Sequence, residues 1–346
     1  MMIFCTLFNS GYLDKGIVMF QSLQKVTEDF KLYVVAFDNK CYEVLQQYSC
    51  SQLVLIRIED FEDERLLAAK ANRTEQEYCW TCSCHAIKYV LEKYHERVCT
   101  YVDADMYFYA SPQVLFDEIE ASGCDVSIIE HRFSDNIENR RVMQMSGRFC
   151  IEFNTFYATD NGMHILNWWC DRCLELCTVV CDGVHFGDQK YLDDWDTRFS
   201  GVHILQHPGA GVAPWNIARY KLLDKNSDDI IIKFKADQSV TPLIFYHFQA
   251  MKYLNSNQVD MGINLFPGYA QPELYRSLYQ DYLKRIEIIR NKLREEAHID
   301  LRKKTESKFS KKEYFLKDIM GERNPMIICK KIWRLCVRKD RDYIVF

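Results

Sequence analysis

The sequence predicts an α/β fold with a mainly parallel sheet flanked by helices, and three observations point there. Short apolar runs alternate with segments of helical spacing, the pattern of strands joined by crossover helices. Several of those runs end in polar residues, which is where open α/β sheets carry their ligand sites. The chain has 346 residues, 48% hydrophobic and 14% aromatic, enough for one large core or two modest ones and too apolar for a disordered chain.

Residues 2–6 form a short apolar strand, FNSGY a loop, and a helical pattern runs on to residue 23. KLYVVAFD, residues 31–38, is a strand ending in a carboxylate. Residues 41–48 are helical, and QLVLIRI, residues 52–58, is a strand. Over residues 83–94, Ala86, Ile87, Val90 and Leu91 recur at helical spacing, and CTYVDAD is the strand that follows. CDVSIIEHRF and RFCIEFNTFYA read as strands, HILNWWCDRCLELCTVV as a helix, and VHILQHP, DIIIKF and TPLIFYHF as strands. PELYRSLYQDYLKRIEIIRNKLREE is a long amphipathic helix.

The opening MMIFCTLFNS lacks the basic segment of a secretion signal, and no apolar run reaches the roughly 20 residues of a membrane span. Fifteen cysteines without such a signal predict reduced thiols in a cytoplasm rather than a disulfide framework. The net charge of −5 conceals an asymmetry. From Leu283 onward 19 Lys/Arg face 10 Asp/Glu, which leaves 25 against 39 in the preceding body. So acidic a body would repel a phosphate backbone, which argues against nucleic acid. In NPMIICKKIWRLCVRK, cations stand beside Ile327, Ile328, Ile332, Trp333 and Leu335, a composition suited to an anionic membrane surface. Packing of this tail on the body or on a second subunit is the alternative, and the oligomeric state is not legible.

YVDADMYFY sets Asp103 and Asp105 inside a hydrophobic run. Read as strand residues, i and i+2 share a face. Two carboxylates there repel unless a cation joins them. A hard divalent ion, Mn²⁺ or Mg²⁺, satisfies both and also takes phosphate oxygens, the neutralisation a diphosphate leaving group needs. Asp-X-Asp alone is a weak signal, because most examples are solvated surface. The apolar CTYV before it strengthens the reading, since strand ends of parallel sheets concentrate function.

With these residues the chain resembles nucleotide-sugar transferases of the GT-A fold, a Rossmann-like mixed α/β architecture. It is similar in pattern to the retaining family-eight glycosyltransferases, which include lipooligosaccharide galactosyltransferases, and to bacterial nucleotide-diphospho-sugar transferases with a CWTC segment before YVDAD. The matching stretches lie within residues 2–252. The resemblance implies a GT-A catalytic domain over residues 1–270 and a basic helical C-terminal extension over 271–346.

It further implies metal ligation by Asp103, Asp105 and His247, the last in LIFYHFQAMKY, with Ala104 beside the donor. Without it, His247 reads as a core histidine bonded to backbone. In HFGDQKYLDDW, Asp188 is implied to bond sugar hydroxyls. Gln189 is implied to lie near the anomeric carbon, where an uncharged amide stabilises positive charge and orients the acceptor rather than attacking. A helix start capped near Asp188 is compatible with both. Asn154 is implied to touch the sugar or diphosphate, Thr6 to meet the base through its backbone, and Tyr12 to stack on it. Asp38 is a ribose contact by position.

Some positions depart from the family pattern. Phe8 and Asn9 stand where its first loop carries aspartates. His85 and Ala86 replace an arginine on the preceding helix, with Lys88 or Arg73 as substitutes for its phosphate contact. The H-x-x-G-x-x-K-P-W ending is HFQAMKYL here, with Ala250 for glycine and the diphosphate-binding Lys252 one residue early.

Cys170, Cys173, Cys177 and Cys181 have spacings that thiolate clusters use. On one continuous helix they would form a stripe about 16 Å long, at 1.5 Å per residue, which cannot enclose a small cluster. They therefore read as buried core thiols. The same holds for Cys79, Cys82, Cys84 and His85, where a zinc site would need further ligands brought together in space.

The expected protein is a metal-dependent hexosyltransferase of the cytoplasm, acting in cell-surface polysaccharide synthesis, with its tail offering peripheral attachment to the inner face of the membrane. It would move a hexose from a nucleotide diphosphate sugar, first of all a UDP-sugar, to a glycan or glycolipid acceptor. Retention is implied by the resemblance alone. A sugar nucleotidylyltransferase, a D-x-D phosphatase and a non-catalytic glycan-assembly scaffold are the alternatives. The first would want a Gly-rich basic N-terminal loop, and the second its aspartates on the first strand.

Overall fold

The computed structural model describes residues 1–135, 137–227, 229–255, 258–262, 272–301 and 343–345. Its centre is β1 (Met2–Phe8), buried along its whole length. Met2, Phe4 and Phe8 face one apolar layer; Ile3, Cys5 and Leu7 face the other. With side chains alternating between two covered faces, a continuous apolar run makes the central strand. β1 pairs in parallel with β2 (Phe30–Ala36) and, across its other edge, with β4 (Val98–Val102); β2 pairs in parallel with β3 (Leu53–Arg57). Beyond β4 the direction reverses. β7 (Phe149–Tyr157) runs antiparallel to both β4 and β6 (Val126–Glu130), and β8 (Val202–Ile204) pairs in parallel with β6. The strand order is β3-β2-β1-β4-β7-β6-β8.

One layer is built by α1 (Leu13–Val26), α2 (Asn39–Leu45), α6 (Gln113–Ser122) and α10 (Pro272–Glu296). The other holds α3 (Ile58–Phe61), α4 (Glu64–Lys70), α5 (Glu75–Lys93), α8 (Asp160–Glu175) and α9 (Trp195–Arg198); α7 (Ile137–Ser146) leads into β7. α1 lies so close to β1 that a Cβ on Gly16 would stand 2.3 Å from the Phe8 ring. α5 begins eight residues before the predicted start at 83, where Thr74 and Glu77 form a reciprocal capping box. α10 buries Leu278, Tyr279, Tyr282 and Ile286 in the same core as α1, so the helix that opens the predicted extension belongs in space to the body. Asp14 and Arg290 cross that junction as a buried ion pair at 2.6 Å.

Smaller sheets complete the chain. β9 (Tyr220–Asn226), β10 (Asp229–Phe234) and β11 (Val240–Pro242) are antiparallel, and β13 (Lys252–Asn255), β14 (Gln258–Asp260) and β15 (Tyr343–Val345) form another antiparallel set. TPLIFYHF, expected as one strand, divides into β11 and β12 (Phe245–His247). β12 pairs antiparallel with β5 (Met106–Phe108), His247 opposite Met106. Among the described residues no helix is long and apolar enough to cross a membrane. The basic segment NPMIICKKIWRLCVRK lies outside the described residues.

Candidate active site

Asp103 and Asp105 do not sit on a strand. β4 stops at Val102, and Asp103–Ala104–Asp105 form a turn before β5. The expectation that strand alternation aligns them is corrected by this turn, which spares two carboxylates a place inside the packed sheet. Two pairings then build the site. β5 with β12 brings His247 against Asp105, and the Phe248 amide donates to the Asp105 carbonyl at 2.9 Å. β4 with β7, Val102 opposite Phe153, brings Glu152 beneath the turn.

His247 Nε2 lies 3.0 Å from Asp105 Oδ1 and 3.6 Å from Asp103 Oδ2, while its Nδ1 lies 2.7 Å from Glu152 Oε2. Three donor groups thus meet at one point. A fully buried carboxylate orients the imidazole from behind, the arrangement that holds metal-binding histidines in one tautomer. Glu152 Oε1 has no hydrogen-bond partner, so the Oε2 contact to His247 is what ties this side chain to its surroundings. Gly211, at φ +69°, lets a neighbouring loop pass; a Cβ there would stand 3.3 Å from Glu152 Oε1. The Trp215 ring packs edge-on against His247, centroids 5.4 Å apart. Asp103 keeps 29% of its side-chain surface open and Asp105 13%, so the pair is reachable from one side.

The electrostatics are those of a cation site. Burial drives Asp103 up to about 6, His247 opposing the shift and Asp105 and Glu152 adding to it. The same burial would raise Asp105, but the His247 charge and hydrogen bond, with Lys15, hold it at about 2. Burial would lower His247; Asp105 outweighs it, with help from Cys150 and Glu152, and the imidazole stands well above its ordinary value. Two carboxylates and an imidazole suit Mn²⁺ or Mg²⁺.

The loop after β1 frames the open side. Asn9 accepts from the Gly11 amide at 2.9 Å. Asp38 caps α2 by accepting from Cys41 N at 2.7 Å and also accepts from Ser10 N at 2.9 Å, which ties the loops after β1 and β2 together. Tyr12 is exposed, with the Lys15 ammonium 3.8 Å from its ring centroid. Thr6 is fully buried and its hydroxyl unpartnered. Lys15 was not singled out by sequence reasoning, yet its charge acts on Asp105. No spacing rule marks such a residue. Glu152, also missed, could have been noticed as a carboxylate in an otherwise apolar strand.

Asp188 is buried and directly precedes the 3-10 turn Gln189–Leu192, to which its side chain makes no capping hydrogen bond. Ser83 of α5 donates to its carboxylate, and Trp169 Nε1 of α8 donates to its carbonyl at 3.0 Å. Burial raises the Asp188 carboxyl to about 7, the Asp103 charge adding to the effect, so these two carboxyls share one neighbourhood. The Gln189 amide donates to the Ser146 carbonyl at 2.5 Å. Asn154 is fully buried, and its amide end lies against the carbonyls of Phe153 and Cys150, to which its nitrogen donates at 3.2 and 3.3 Å once the amide is turned over. Ala104 is buried within the carboxylate turn.

Lys88 and Arg73 are engaged elsewhere. Lys88 donates to Asn167 at 2.6 Å and faces Glu92, between α5 and α8. Arg73 donates to the Leu174 carbonyl at 2.8 Å. Lys252 begins β13, paired opposite Asp260.

Two curated Bacillus subtilis proteins are similar to this chain in sequence. YfnD, an uncharacterised protein, is 31% identical over 261 residues, covering 75% of this chain and 80% of YfnD. YfnF, also uncharacterised, is 31% identical over 264 residues, covering 74% and 84%. The crystal structure of an active-site variant of LgtC superposes with a TM-score of 0.50 at 12% identity, over 72% of this chain and 88% of that one. LgtC is described, in a second structure, as a galactosyltransferase in complex with donor and acceptor sugar analogues; that structure gives a TM-score of 0.48 at 12% identity over 72% and 87%. No family model matches.

Proposed function

The chain belongs to the family of YfnD and YfnF and carries the GT-A fold of LgtC, and from that premise we propose that it is a metal-dependent glycosyltransferase. The observation that carries the proposal is the meeting of Asp103, Asp105 and His247 at the carboxyl end of β4, beside the loops that follow β1 and β2. Ligands of open α/β sheets bind at that edge. The donor is a nucleotide diphosphate sugar, first of all a UDP-hexose, and the acceptor a glycan or glycolipid.

Asp103, Asp105 and His247 hold a divalent ion, which when bound neutralises the departing diphosphate. Tyr12, exposed beside this edge, stacks on the base, Thr6 offers its backbone to it, and Asp38 reaches the ribose from its capping position. Lys15, rather than Lys88 or Arg73, supplies a side-chain cation whose charge acts on the carboxylates. Asp188, fixed by Ser83 and Trp169, accepts sugar hydroxyls, and Gln189 stands beside the anomeric carbon. The retaining outcome rests on the resemblance to family-eight transferases.

The test is thermal stabilisation by nucleoside diphosphates with and without Mn²⁺, in the wild type and in Asp105→Ala. Ligand at 100 times its Kd stabilises by about 2.7 kcal/mol. The expected result is a Mn²⁺-dependent shift with UDP that Asp105→Ala abolishes. Absence of any shift with every nucleotide would overturn the donor site and leave the scaffold reading.

A further inference from the structure

Two of the cations expected at the diphosphate face α8 instead. Lys88 donates to Asn167 and Arg73 to the Leu174 carbonyl, and Lys252 comes one residue early, at the start of β13. A cation that no motif marks stands at the carboxylate edge. Lys15 is the third residue of α1, which follows β1 after one short loop. Its ammonium lies 3.8 Å from the centroid of the exposed Tyr12 ring. Among the described residues Lys15 forms no ion pair. Asp14 accepts from Arg290 Nε at 2.6 Å with one carboxylate oxygen and from the Lys15 amide at 2.9 Å with the other, while Asp105 is held by His247 at 3.0 Å. Burial would drive the proton off Lys15, but Tyr12, Asp105 and Asp14 outweigh it, and the ammonium stays charged. The cation is thus drawn toward the ring and toward the carboxylate turn without a carboxylate contact that neutralises it.

A lysine over an aromatic ring at an ordinary surface is a packing contact. Here the surroundings on its two sides match the two ends of one ligand. In a nucleotide diphosphate sugar the diphosphate joins the nucleoside to the sugar. With the base on Tyr12 and an ion at Asp103, Asp105 and His247, the diphosphate spans the interval between them. Lys15 is the charge that acts on both borders of that interval. An ammonium is a point charge on a flexible four-carbon stem, so side-chain rotation alone turns it from the ring to a phosphate oxygen. The base of that stem is fixed, because Arg290 of α10 holds Asp14 and Asp14 accepts from the Lys15 amide. α1 also carries its positive end at this edge.

We propose that Lys15 is the diphosphate-binding residue of this site: its ammonium leaves the Tyr12 face and pairs with a non-bridging phosphate oxygen of the nucleoside diphosphate. The proposal rests on the reading of this edge as a nucleotide-sugar site. Lys15 takes over the phosphate contact that His85 and Ala86 on α5, and the displaced Lys252, do not supply in the family's way. It acts beside the divalent ion as a fixed charge of the protein's own. Its consequence is selectivity for a nucleoside diphosphate over the bare nucleoside.

The experiment measures the affinities of UDP and uridine by calorimetry, with Mn²⁺ present, for the full chain and for Lys15→Met and Lys15→Arg. Lys15→Met is expected to weaken UDP about 10- to 100-fold, the size of one charged hydrogen bond, and to leave uridine unchanged. Lys15→Arg is expected to restore most of the loss. Methionine keeps an apolar stem over Tyr12, so an unchanged uridine affinity also reports an intact site. Mn²⁺ binding without nucleotide, followed by electron paramagnetic resonance, is expected to hold or tighten in Lys15→Met, because a like charge has left the carboxylates. Equal UDP affinities in the wild type and Lys15→Met, equal losses of UDP and uridine, or a UDP loss that follows a loss of Mn²⁺ would overturn the role of Lys15 alone. A wild type that binds no nucleotide would remove the donor site and this proposal with it.

Discussion

One residue apart and in the same turn, Asp103 and Asp105 are driven in opposite directions. The difference is His247. Its Nε2 is hydrogen-bonded to Asp105 and only near Asp103, so burial prevails at Asp103 and attraction prevails at Asp105. Stability at this site therefore depends on pH with a definite sign. Asp103 and Asp188 have folded values above the ordinary carboxyl value. In the range between, the native state holds more protons than the unfolded chain, and stability falls as pH rises through about 6 and 7. His247 is likewise raised, so its contribution is complete below its unfolded value near 6.5 and is lost at higher pH. Asp105 opposes this only below about pH 4, where its stabilising ionisation is lost on acidification. In EDTA the melting temperature should fall between pH 4.5 and 8. Because metal binding displaces the protons of Asp103 and His247, the Mn²⁺-induced rise should grow over that interval. A chelated protein whose melting temperature climbs with pH would contradict this account of the site.

At the scale of elements, the junction of α1 and α10 depends on a charge. Asp14 and Arg290 are 1% and 3% exposed and meet at 2.6 Å, and the Arg290 guanidinium also lies 3.6 Å from the Tyr253 ring centroid. Removing one member of a buried pair leaves the other charge without its partner, which costs about 3–5 kcal/mol; replacing both with apolar residues is often neutral. Arg290→Met should lower the stability to urea by that amount, and Asp14→Leu/Arg290→Met should recover most of it. Equal losses in the single and double variants would mean that shape, not charge, holds α10 in place. α5 and α8 are the other decisive pair. They supply Ser83 and Trp169 to Asp188, so the contact of these two helices fixes that carboxylate.

For the whole molecule, the question is where the folded body ends. A boundary at residue 270 assigns α10 to the extension, and α10 buries Leu278, Tyr279, Tyr282 and Ile286 in the same core as β1 and α1. At about 1.5–3 kcal/mol for each large apolar side chain, those four alone match the 5–15 kcal/mol by which domains are stable. A chain ending at residue 270 should be insoluble or lack a cooperative melt by circular dichroism. A truncated protein that melts like the full chain would make α10 dispensable.

What the sequence determined by itself was local or periodic. The all-apolar β1, the helical spacing of α5 and the amphipathic α10 are legible because burial on two faces, or on one helical face, dictates residue type at fixed intervals. Asp103 and Asp105 are legible as an anomaly, since carboxylates in an apolar run need a reason, and the family resemblance named their partner His247. The tertiary structure alone decided how these residues meet. It ended β4 before the carboxylates, used the β5–β12 register to bring in a histidine 142 positions away, and placed Glu152 behind it. It also put Lys15 where its charge acts on Asp105, kept α10 in the core, and brought Cys84 of α5 beside Cys170 of α8. Side-chain convergence across strands and helices is a property of register and packing. It leaves no periodic trace in one chain, because the residues that meet are separated by lengths that the fold alone specifies.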